Sequence, residues 1–535
     1  MDSSLKAQHE AFVQGLEGGT VSSILPSVIL PSCMYTVALS AALFSNLCRH
    51  YLSSSASSST SSASFKRSMS LMQSSVELLS QLLPLSFLLL PDSHPLQSRF
   101  NQFSSTLYDV FPSWVGSFNE AGSVVFSLSI LLLALILPLL FILLHLLSSL
   151  SSSSLHSELS TRSHSLTFFN ATTILLTSYC ILAVDFPAFS RSYAKRETYG
   201  FSLMDVGVGV FVLKSGFLSP CARSVLQNTS ETTKKIEKGR GRDSTQRVNW
   251  RNVWTLLALA VLAVGRLLTV KAVNYQEHVA EYGVHWNFFC TLFFIRLVGM
   301  FLPRTPAMVG ATGVIILASH EWFLSHGLGE YMATQERGNS FVEMNKEGIF
   351  SVLAYCAIYC LGCLGGSVFF QATQQILKSK GVDLDRSGCR EAKMSLSALL
   401  VWVMVNIVGW TVLEFLSQAF GSPSRRLVNI PYVNAVVVSF SSALCLCALV
   451  ERFLLSVGAR GMPSLPVAEF ISANSLYVFL CANLLTGATN LSINTFAMSW
   501  LATLGIMSTY ICAAVGLSYV SHSLILLLFK LNESQ

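Results

Sequence analysis

Charged residues are scarce in this chain of 535 residues. Asp, Glu, Lys and Arg together make up 12% of it, whereas apolar residues make up 52%. A soluble globular protein or a disordered one needs more polar surface than this to face water. Apolar runs long enough to cross a bilayer recur from one end of the chain to the other. The composition therefore predicts an integral membrane protein whose surroundings are the lipid bilayer.

Motifs of other enzyme and binding classes are missing as well. The sequence contains no GxSxG, P-loop or kinase signature. Its single CxxC motif, with Cys360 and Cys363, lies in an apolar run without a second pair. The net charge of +6 is modest, and the basic residues lie in loops between apolar runs, which excludes a nucleic-acid partner. We expect no bound metal and no permanently bound cofactor.

The apolar runs predict an all-α fold with about thirteen membrane-spanning helices, each of roughly 20 residues. Residues 1–20 are polar and lack a basic stretch followed by a cleavage site. We therefore expect the first span, rather than a cleavable signal peptide, to direct insertion. The predicted spans are approximately 22–44, 74–91, 123–148, 166–184, 202–222, 252–272, 284–302, 306–324, 349–371, 396–418, 431–455, 466–488 and 500–529.

Loop charges predict the orientation. Basic residues concentrate after odd-numbered spans, above all in segment 223–251, whereas loop 325–348 on the other side is acid-rich. The positive-inside rule therefore places the odd loops and the C-terminus in the cytosol and the N-terminus in the lumen. The lumenal exceptions to this asymmetry are Arg191, Lys195 and Arg196, and Arg425 with Arg426.

We expect one multi-span membrane domain over residues 1–535. Its loops include two Ser-rich cytosolic connectors, 53–64 and 151–154, and the basic cytosolic loop 223–251. For residues 234–251 of this loop, a weak attraction to anionic lipid headgroups is an alternative to simple solvation. No convincing internal repeat is visible, which disfavours a transporter built from inverted repeats.

The segment 184–211, VDFPAFSRSYAKRETYGFSLMDVGVGVF, concentrates charge next to an apolar run. Charges near membrane depth are costly, so they are usually paired or functional. Asp185 follows the fourth predicted span, and Pro187 ends that helix. The partial negative charge of a helix C-terminus, with partial burial, should raise the pKa of Asp185 and make it a better base. A helix-ending Asp without a task is the alternative.

Lys195 is a candidate to stabilise an oxyanion or to hold a phosphate. The alternative is a lysine that snorkels to the headgroup level. One continuous helix would place Asp185 and Lys195 about 15 Å apart, but Pro187 permits the chain to fold back and bring them together. The other charged residues of this group are Arg191, Arg196 and Glu197.

Asp205 begins the fifth predicted span, within the sequence DVGVG. Gly207 and Gly209 permit close backbone approach, for which packing against another helix is favoured over ligand binding. The segment lacks the strand–turn–helix context of a dinucleotide fingerprint. Asp205 is also a candidate partner for Lys214, a charge inside the same span.

A second polar cluster lies at residues 273–289, VNYQEHVAEYGVHWNFF, on the predicted lumenal side. Its polar members are Glu277, His278, Glu281, His285 and Asn287. In a helix, His278 and Glu281 would share a face and could ligate zinc, but no cysteine is placed to complete such a site. We favour a hydrogen-bonded lining for a polyhydroxy headgroup, with a structural network as the alternative.

Four segments stand out beyond their composition. They are EAFVQGLEGGT at 10–20, the segment 184–211, NYQEHVAEYGVHWNFF at 274–289 and FLCANLLTGATNLSINT at 479–495. In this order they resemble the blocks of the glycosylphosphatidylinositol (GPI) inositol acyltransferase family. The predicted span count and orientation are also similar to those of that family.

The resemblance implies an enzyme of the endoplasmic reticulum membrane. Such an enzyme transfers a fatty acyl chain, usually palmitoyl, from acyl-CoA to the inositol 2-hydroxyl of glucosaminyl-phosphatidylinositol. The acid of the VDF motif and the lysine of the YAK motif, here Asp185 and Lys195, are implied as the catalytic pair. With the charge pattern, the candidate substrate-binding residues are Arg191, Arg196, Glu197, Asp205, Glu277, His278, Glu281, His285, Asn287 and Asn483.

The sequence departs from the family pattern at three positions. Ser192 takes the place of an arginine, Val210 that of a serine, and Lys214 that of a small polar residue. No activated nucleophile is visible, so we expect direct transfer rather than a covalent intermediate. Asp185 would then accept the proton of the inositol hydroxyl, while Lys195 stabilises negative charge or holds the CoA phosphates.

Two other functions fit parts of the sequence. A transporter of a polar solute would explain many spans and intramembrane charges, but it predicts repeat symmetry. A membrane-bound O-acyltransferase centred on a buried histidine and an asparagine would use His285 and Asn287 in place of Asp185.

Overall fold

The computed structural model describes residues 163–225, 250–272, 279–303, 305–334, 336–379, 396–456 and 465–533, together with residues 28, 30–32, 34, 35, 38 and 85. Apart from those isolated positions, the first three predicted spans lie outside the described residues, as do the two Ser-rich loops and most of the basic loop. Glu277 and His278 of the second polar cluster also lie outside them.

Within these ranges the chain is helical and contains no strand, apart from an isolated bridge between Gly200 and Ser424. A membrane interior favours this, because a helix satisfies its own backbone hydrogen bonds. The α-helices are α1 (His164–Ala183), α2 (Leu203–Phe217), α3 (Trp250–Ala272), α4 (Val279–Tyr282), α5 (Phe288–Gly299), α6 (Pro306–Phe323), α7 (Gly329–Ala333), α8 (Phe341–Met344), α9 (Lys346–Ser379), α10 (Leu396–Phe420), α11 (Ile430–Ser456), α12 (Pro466–Ala473), α13 (Ser475–Ser492) and α14 (Trp500–Glu533).

Helix length and apolarity agree with a multi-pass membrane protein. Seven described helices are long and apolar enough to cross a membrane, or eight if α12 and α13, bent by 90°, form one broken span. Two shorter apolar segments lie in α3 and α5. Each predicted span from residue 166 onward thus coincides with a described helix or with the bent pair, which confirms the all-α prediction for this part of the chain. The total of thirteen and the orientation stay predictions.

The described residues belong to two compact units. The first draws them from Ala194–Val382 and Met404–Phe440. The second draws them from Leu25–Tyr193, Asp383–Val403 and Ser441–Gln535. Each unit therefore combines stretches that are distant in the sequence.

Close backbone contact organises the first unit, where α9 packs against both α2 and α6. A Cβ atom added at Gly216 of α2 would collide with the carbonyl oxygen of Tyr359 in α9. A Cβ added at Gly362 of α9 would collide in the same way with the carbonyl oxygen of Leu213 in α2. Small residues let membrane helices approach closely enough for dispersion contacts, so these glycines set the distance between α2 and α9.

In the second unit, α1 packs against α12, α13 and α14. The hydroxyl groups of Thr172 and Thr173 donate to carbonyl oxygens one turn earlier in α1, at 2.6 and 2.8 Å. Such bonds satisfy a buried hydroxyl without a partner from another helix. The hydroxyl of Tyr510 in α14 donates at 3.2 Å to the carbonyl oxygen of Ser178 in α1, which joins these two helices.

Candidate active site

Lys195 is paired with a carboxylate in the first unit. Its Nζ donates a hydrogen bond of 2.8 Å to Oε2 of Glu281, which lies in the short helix α4. The Lys195 side chain is 32% exposed and that of Glu281 is 12% exposed. The two polar clusters singled out in the sequence therefore meet here, since Lys195 comes from segment 184–211 and Glu281 from segment 273–289.

The same glutamate also binds Arg425, in the loop between α10 and α11. Nη1 of Arg425 lies 3.1 Å from Oε1 of Glu281, and its Nε donates at 2.8 Å to Oδ1 of Asp205. Burial alone would lower the pKa of Arg425, but the carboxylates of Glu281 and Asp205 raise it above its ordinary value. Arg425 therefore stays charged between two carboxylates.

Asp205 fixes the backbone next to Lys195. It lies in the first turn of α2, where a carboxylate is favoured by the helix dipole. Its two oxygens accept hydrogen bonds from the backbone N–H of Arg196 at 3.2 and 3.1 Å, and Oδ2 also accepts one from the hydroxyl of Ser202 at 2.9 Å. Asp205, Arg425, Glu281 and Lys195 thus form one chain of ion pairs, which we call the four-residue ion network.

Asp205 pairs with Arg425 and not with Lys214, so that sequence-based prediction was wrong. Nine residues along an α-helix correspond to about 13.5 Å and to opposite faces, which separates Asp205 from Lys214. The Lys214 ammonium instead lies 4.8 Å from the centre of the Phe211 ring, a cation–π distance. Within the described residues it has no hydrogen-bond partner.

The loop that carries Arg425 is held from several sides. The hydroxyl of Ser424 donates to the carbonyl oxygen of Thr198, and the backbone N–H of Gly200 donates to the carbonyl oxygen of Pro423 at 2.9 Å. Val428 adopts a φ of 53°, which is a genuine outlier for a β-branched residue. Surrounding contacts must offset this strain, as they commonly do near functional sites.

A second ion cluster in the first unit supports the same loop. Arg426 donates at 2.9 Å to Oε1 of Glu347, which also accepts a hydrogen bond of 2.7 Å from Arg337. Sequence reasoning noted Arg425 and Arg426 only as basic residues on the predicted lumenal side. Their position against the expected charge asymmetry was the available signal that both have acidic partners.

Asp185 lies in the second unit, directly after α1. The residue is 3% exposed, and its Oδ2 accepts a hydrogen bond of 2.7 Å from Nδ2 of Asn490 in α13. Sequence reasoning placed Asn483 rather than Asn490 in the site, although both lie in segment 479–495. The amide of Asn483 donates at 2.8 Å to the carbonyl oxygen of Phe479 in its own helix.

Arg191 holds the turn that carries Asp185. Its Nη2 donates to the carbonyl oxygens of Val184, Phe186 and Phe189 at 2.9, 3.1 and 3.0 Å. A cation is favoured at this end of α1, where carbonyl groups lack partners within the helix. Burial lowers the pKa of Arg191 to about 10, against the opposing influence of Asp185. Arg191 thus stabilises the backbone around Asp185.

The remaining candidates of the charged segment are less enclosed. Arg196 and Glu197 are both partly exposed. Burial lowers the pKa of Arg196, while the charge of Asp205 opposes this shift. Asp185 and Lys195 are described in different units, and their action as a pair stays a prediction.

Two residues of the second polar cluster, Asn287 and His285, make contacts that hold local structure. Asn287 caps α5 by accepting hydrogen bonds from the backbone N–H of Phe289 and of Cys290, at 3.0 and 3.2 Å. It also donates at 2.9 Å to the carbonyl oxygen of Ala263. The His285 ring stacks on Phe341, with 6.4 Å between ring centres. A role of either residue in headgroup binding stays a prediction.

Comparison with known proteins gives a match over nearly the whole chain. The GWT1 family model matches residues 5–521. GPI-anchored wall transfer protein 1 of Schizosaccharomyces pombe is 35% identical over 65% of this chain and 70% of its own. The protein of the same name in Candida albicans is 33% identical over 64% and 71%. Phosphatidylinositol-glycan biosynthesis class W protein of Dictyostelium discoideum is 30% identical over 68% and 74%.

Proposed function

Because this chain belongs to the GWT1 family, we propose that it is an O-acyltransferase of GPI-anchor biosynthesis. It transfers a fatty acyl chain, palmitoyl, from acyl-CoA to the inositol 2-hydroxyl of glucosaminyl-phosphatidylinositol. The proposal places the protein in the endoplasmic reticulum membrane. The names of the relatives support the pathway, since they refer to GPI anchoring and to phosphatidylinositol-glycan biosynthesis.

The observation that carries the mechanism is the buried carboxylate of Asp185 at the end of a membrane helix. In the proposed reaction this carboxylate accepts the proton of the inositol hydroxyl. The hydroxyl oxygen attacks the thioester carbonyl, an ester C–O bond forms and the C–S bond breaks. The thiolate of CoA leaves and takes up the proton from Asp185, so that the base is regenerated. Asn490 orients the carboxylate through the hydrogen bond to Oδ2.

Lys195 supplies positive charge in this proposal. Its ammonium stabilises the developing negative charge or holds a phosphate of CoA, with Arg196 as the next phosphate-binding candidate. Arg191 is a weaker candidate for phosphate, because its Nη2 donates to three carbonyl oxygens. The acyl chain lies among apolar helices, and the lipid acceptor enters from the bilayer.

The histidine-centred alternative lacks this kind of support. The amide of Asn287 is engaged by α5 and by the carbonyl oxygen of Ala263. The ring of His285 stacks on an aromatic neighbour. These contacts suit a structural role for Asn287, while His285 remains a candidate for the headgroup lining.

The test is acyl transfer from labelled palmitoyl-CoA to glucosaminyl-phosphatidylinositol by the purified full-length protein in lipid nanodiscs. We expect acylated product from the wild type and a loss of product with Asp185→Asn, while His285→Gln weakens use of the acceptor and keeps some turnover. Absence of product from folded wild-type protein would overturn the proposed reaction. Full loss with His285→Gln and near-normal turnover with Asp185→Asn would move the catalytic base to His285.

A further inference from the structure

Lys195 has an ion-pair partner within the protein itself. Its ammonium and Oε2 of Glu281 are 2.8 Å apart, so the positive charge proposed to act on an anion is neutralised within the protein. A substrate anion that binds Lys195 must therefore take the place of this carboxylate or share the ammonium with it. Glu281 then needs another cation to compensate its charge.

Arg425 is a second cation that binds Glu281. It binds the other oxygen of Glu281 at 3.1 Å, and Asp205 holds it in place at 2.8 Å. The Arg425 side chain is only 7% exposed. If Lys195 leaves, Glu281 keeps Arg425 as an ion-pair partner, so the charge of this partly buried carboxylate stays compensated.

Of the two cations that bind Glu281, Lys195 can move and Arg425 is fixed, which suits replacement of Glu281 by another anion at Lys195. Lys195 is the more exposed partner, and its four-carbon stem has several rotatable bonds. Arg425 is enclosed, and it makes two separate contacts that fix the guanidinium plane. The backbone beside Lys195 is anchored by Asp205 through the N–H of Arg196, so the side chain can turn while the main chain stays in place.

We propose that Glu281 is the resting counter-ion of Lys195 and that a phosphate group of the acyl donor displaces it, while Arg425 retains Glu281. Lysine is a common phosphate ligand as a compact point charge. Glu281 is then an internal competitor of the donor, and it selects for ligands that carry enough negative charge to replace it. This inference rests on the proposed use of acyl-CoA.

The test measures binding of CoA itself, which carries the phosphates but has no acyl group to transfer, to full-length protein in nanodiscs. Glu281→Gln removes the competing charge and keeps the shape of the side chain. Partly exposed ion pairs contribute modestly, so we expect Glu281→Gln to bind CoA about twofold to fivefold more tightly than the wild type. Pantetheine, which lacks the phosphates, should bind both proteins equally.

A double-mutant cycle assigns the effect to Lys195. In a Lys195→Met background, Glu281→Gln should no longer tighten CoA binding, because the ammonium that was released is absent. Glu343→Gln is the matched control, since it removes the same charge from a partly exposed glutamate that bonds to Ser340 in its capping box. CoA affinity should be unchanged in that control.

Weaker or unchanged CoA binding by well-folded Glu281→Gln would overturn the inference, as would equal tightening in the Lys195→Met background. Should Glu281→Gln fail to fold, Glu281→Asp serves in its place. It keeps a charge opposite Arg425 but draws it away from Lys195 by one methylene, and it should also tighten binding. Failure of the proposed function looks different: folded wild-type protein would then transfer no acyl group even where CoA binding behaves as stated.

Discussion

The Asn490 amide donates a 2.7 Å hydrogen bond to the Asp185 carboxylate, across 305 positions of sequence. Both residues are buried in the second unit, Asp185 after α1 and Asn490 near the end of α13. The hydrogen bond orients the carboxylate, and Asp185 also interacts electrostatically with Arg191, where burial lowers the pKa and the charge of Asp185 opposes this shift. This geometry holds the Asp185 carboxylate in one position for proton transfer.

Replacement of Asp185 by Asn should lower turnover by about 10²–10⁴-fold, the usual contribution of general-base assistance. Folding should change little, because Asn preserves the shape of the side chain. The measurement is the acyl transfer assay together with thermal unfolding of the purified protein. Near-normal turnover of the variant would show that Asp185 is not the base.

Replacement of Asn490 by Ala should lower the free energy of unfolding by about 1–3 kcal/mol, because a buried carboxylate loses a hydrogen-bond donor. Turnover should fall as well, since Asp185 is then less firmly oriented. Asn483→Ala is the matched control, because the Asn483 amide donates to the carbonyl oxygen of Phe479 in its own helix. Equal losses of turnover in both variants would contradict a special role for Asn490.

Lys195→Ala should abolish most acyl transfer, whereas Lys195→Arg should retain part of it if the residue acts through its charge rather than through proton transfer. The comparison requires turnover and the KM for palmitoyl-CoA from each variant. A rise in KM alone would assign Lys195 to donor binding, and a fall in kcat alone would assign it to the developing oxyanion. Full activity of Lys195→Ala would remove the residue from the mechanism.

Arg425→Met should destabilise the first unit by about 3–5 kcal/mol, because the fully buried carboxylate of Asp205 loses the guanidinium that pairs with it. Chemical denaturation in detergent provides the measurement. Arg337→Met is the control: its partner Glu347 keeps a second cation, Arg426, so the loss should be smaller. Comparable losses from the two variants would argue against a distinct role for Arg425.

Loop orientation can be tested with inserted tags. A protease-cleavable tag within residues 234–242 should be accessible from the cytosol, because this loop carries the excess of basic residues. A tag next to Ser340 lies in loop 325–348, which is predicted to be lumenal. In sealed microsomes this tag should be protected from protease. The opposite accessibility would reverse the predicted orientation and place the acid-rich loop in the cytosol.

The amino-acid sequence by itself determined where the helices lie. Runs of about 20 apolar residues form helices in a membrane because no other local structure satisfies the backbone there. The bounds of α1, α6 and α11 therefore agree closely with the predicted spans. Charges beside apolar runs can be read directly from the sequence, and charge near lipid is costly, which is why segments 184–211 and 273–289 could be singled out in advance.

Only the tertiary structure decided which charges meet. Lys195 and Glu281 are 86 positions apart, and Asp205 and Arg425 are 220 apart. Helical periodicity describes neighbours three or four residues away, and it carries no information on contacts between distant helices. The sequence therefore suggested Asp205 as the partner of Lys214, and it suggested Asn483 rather than Asn490 as a site residue. Which cation a buried carboxylate binds follows from the packing of helices, since that packing sets both the distance and the exclusion of water.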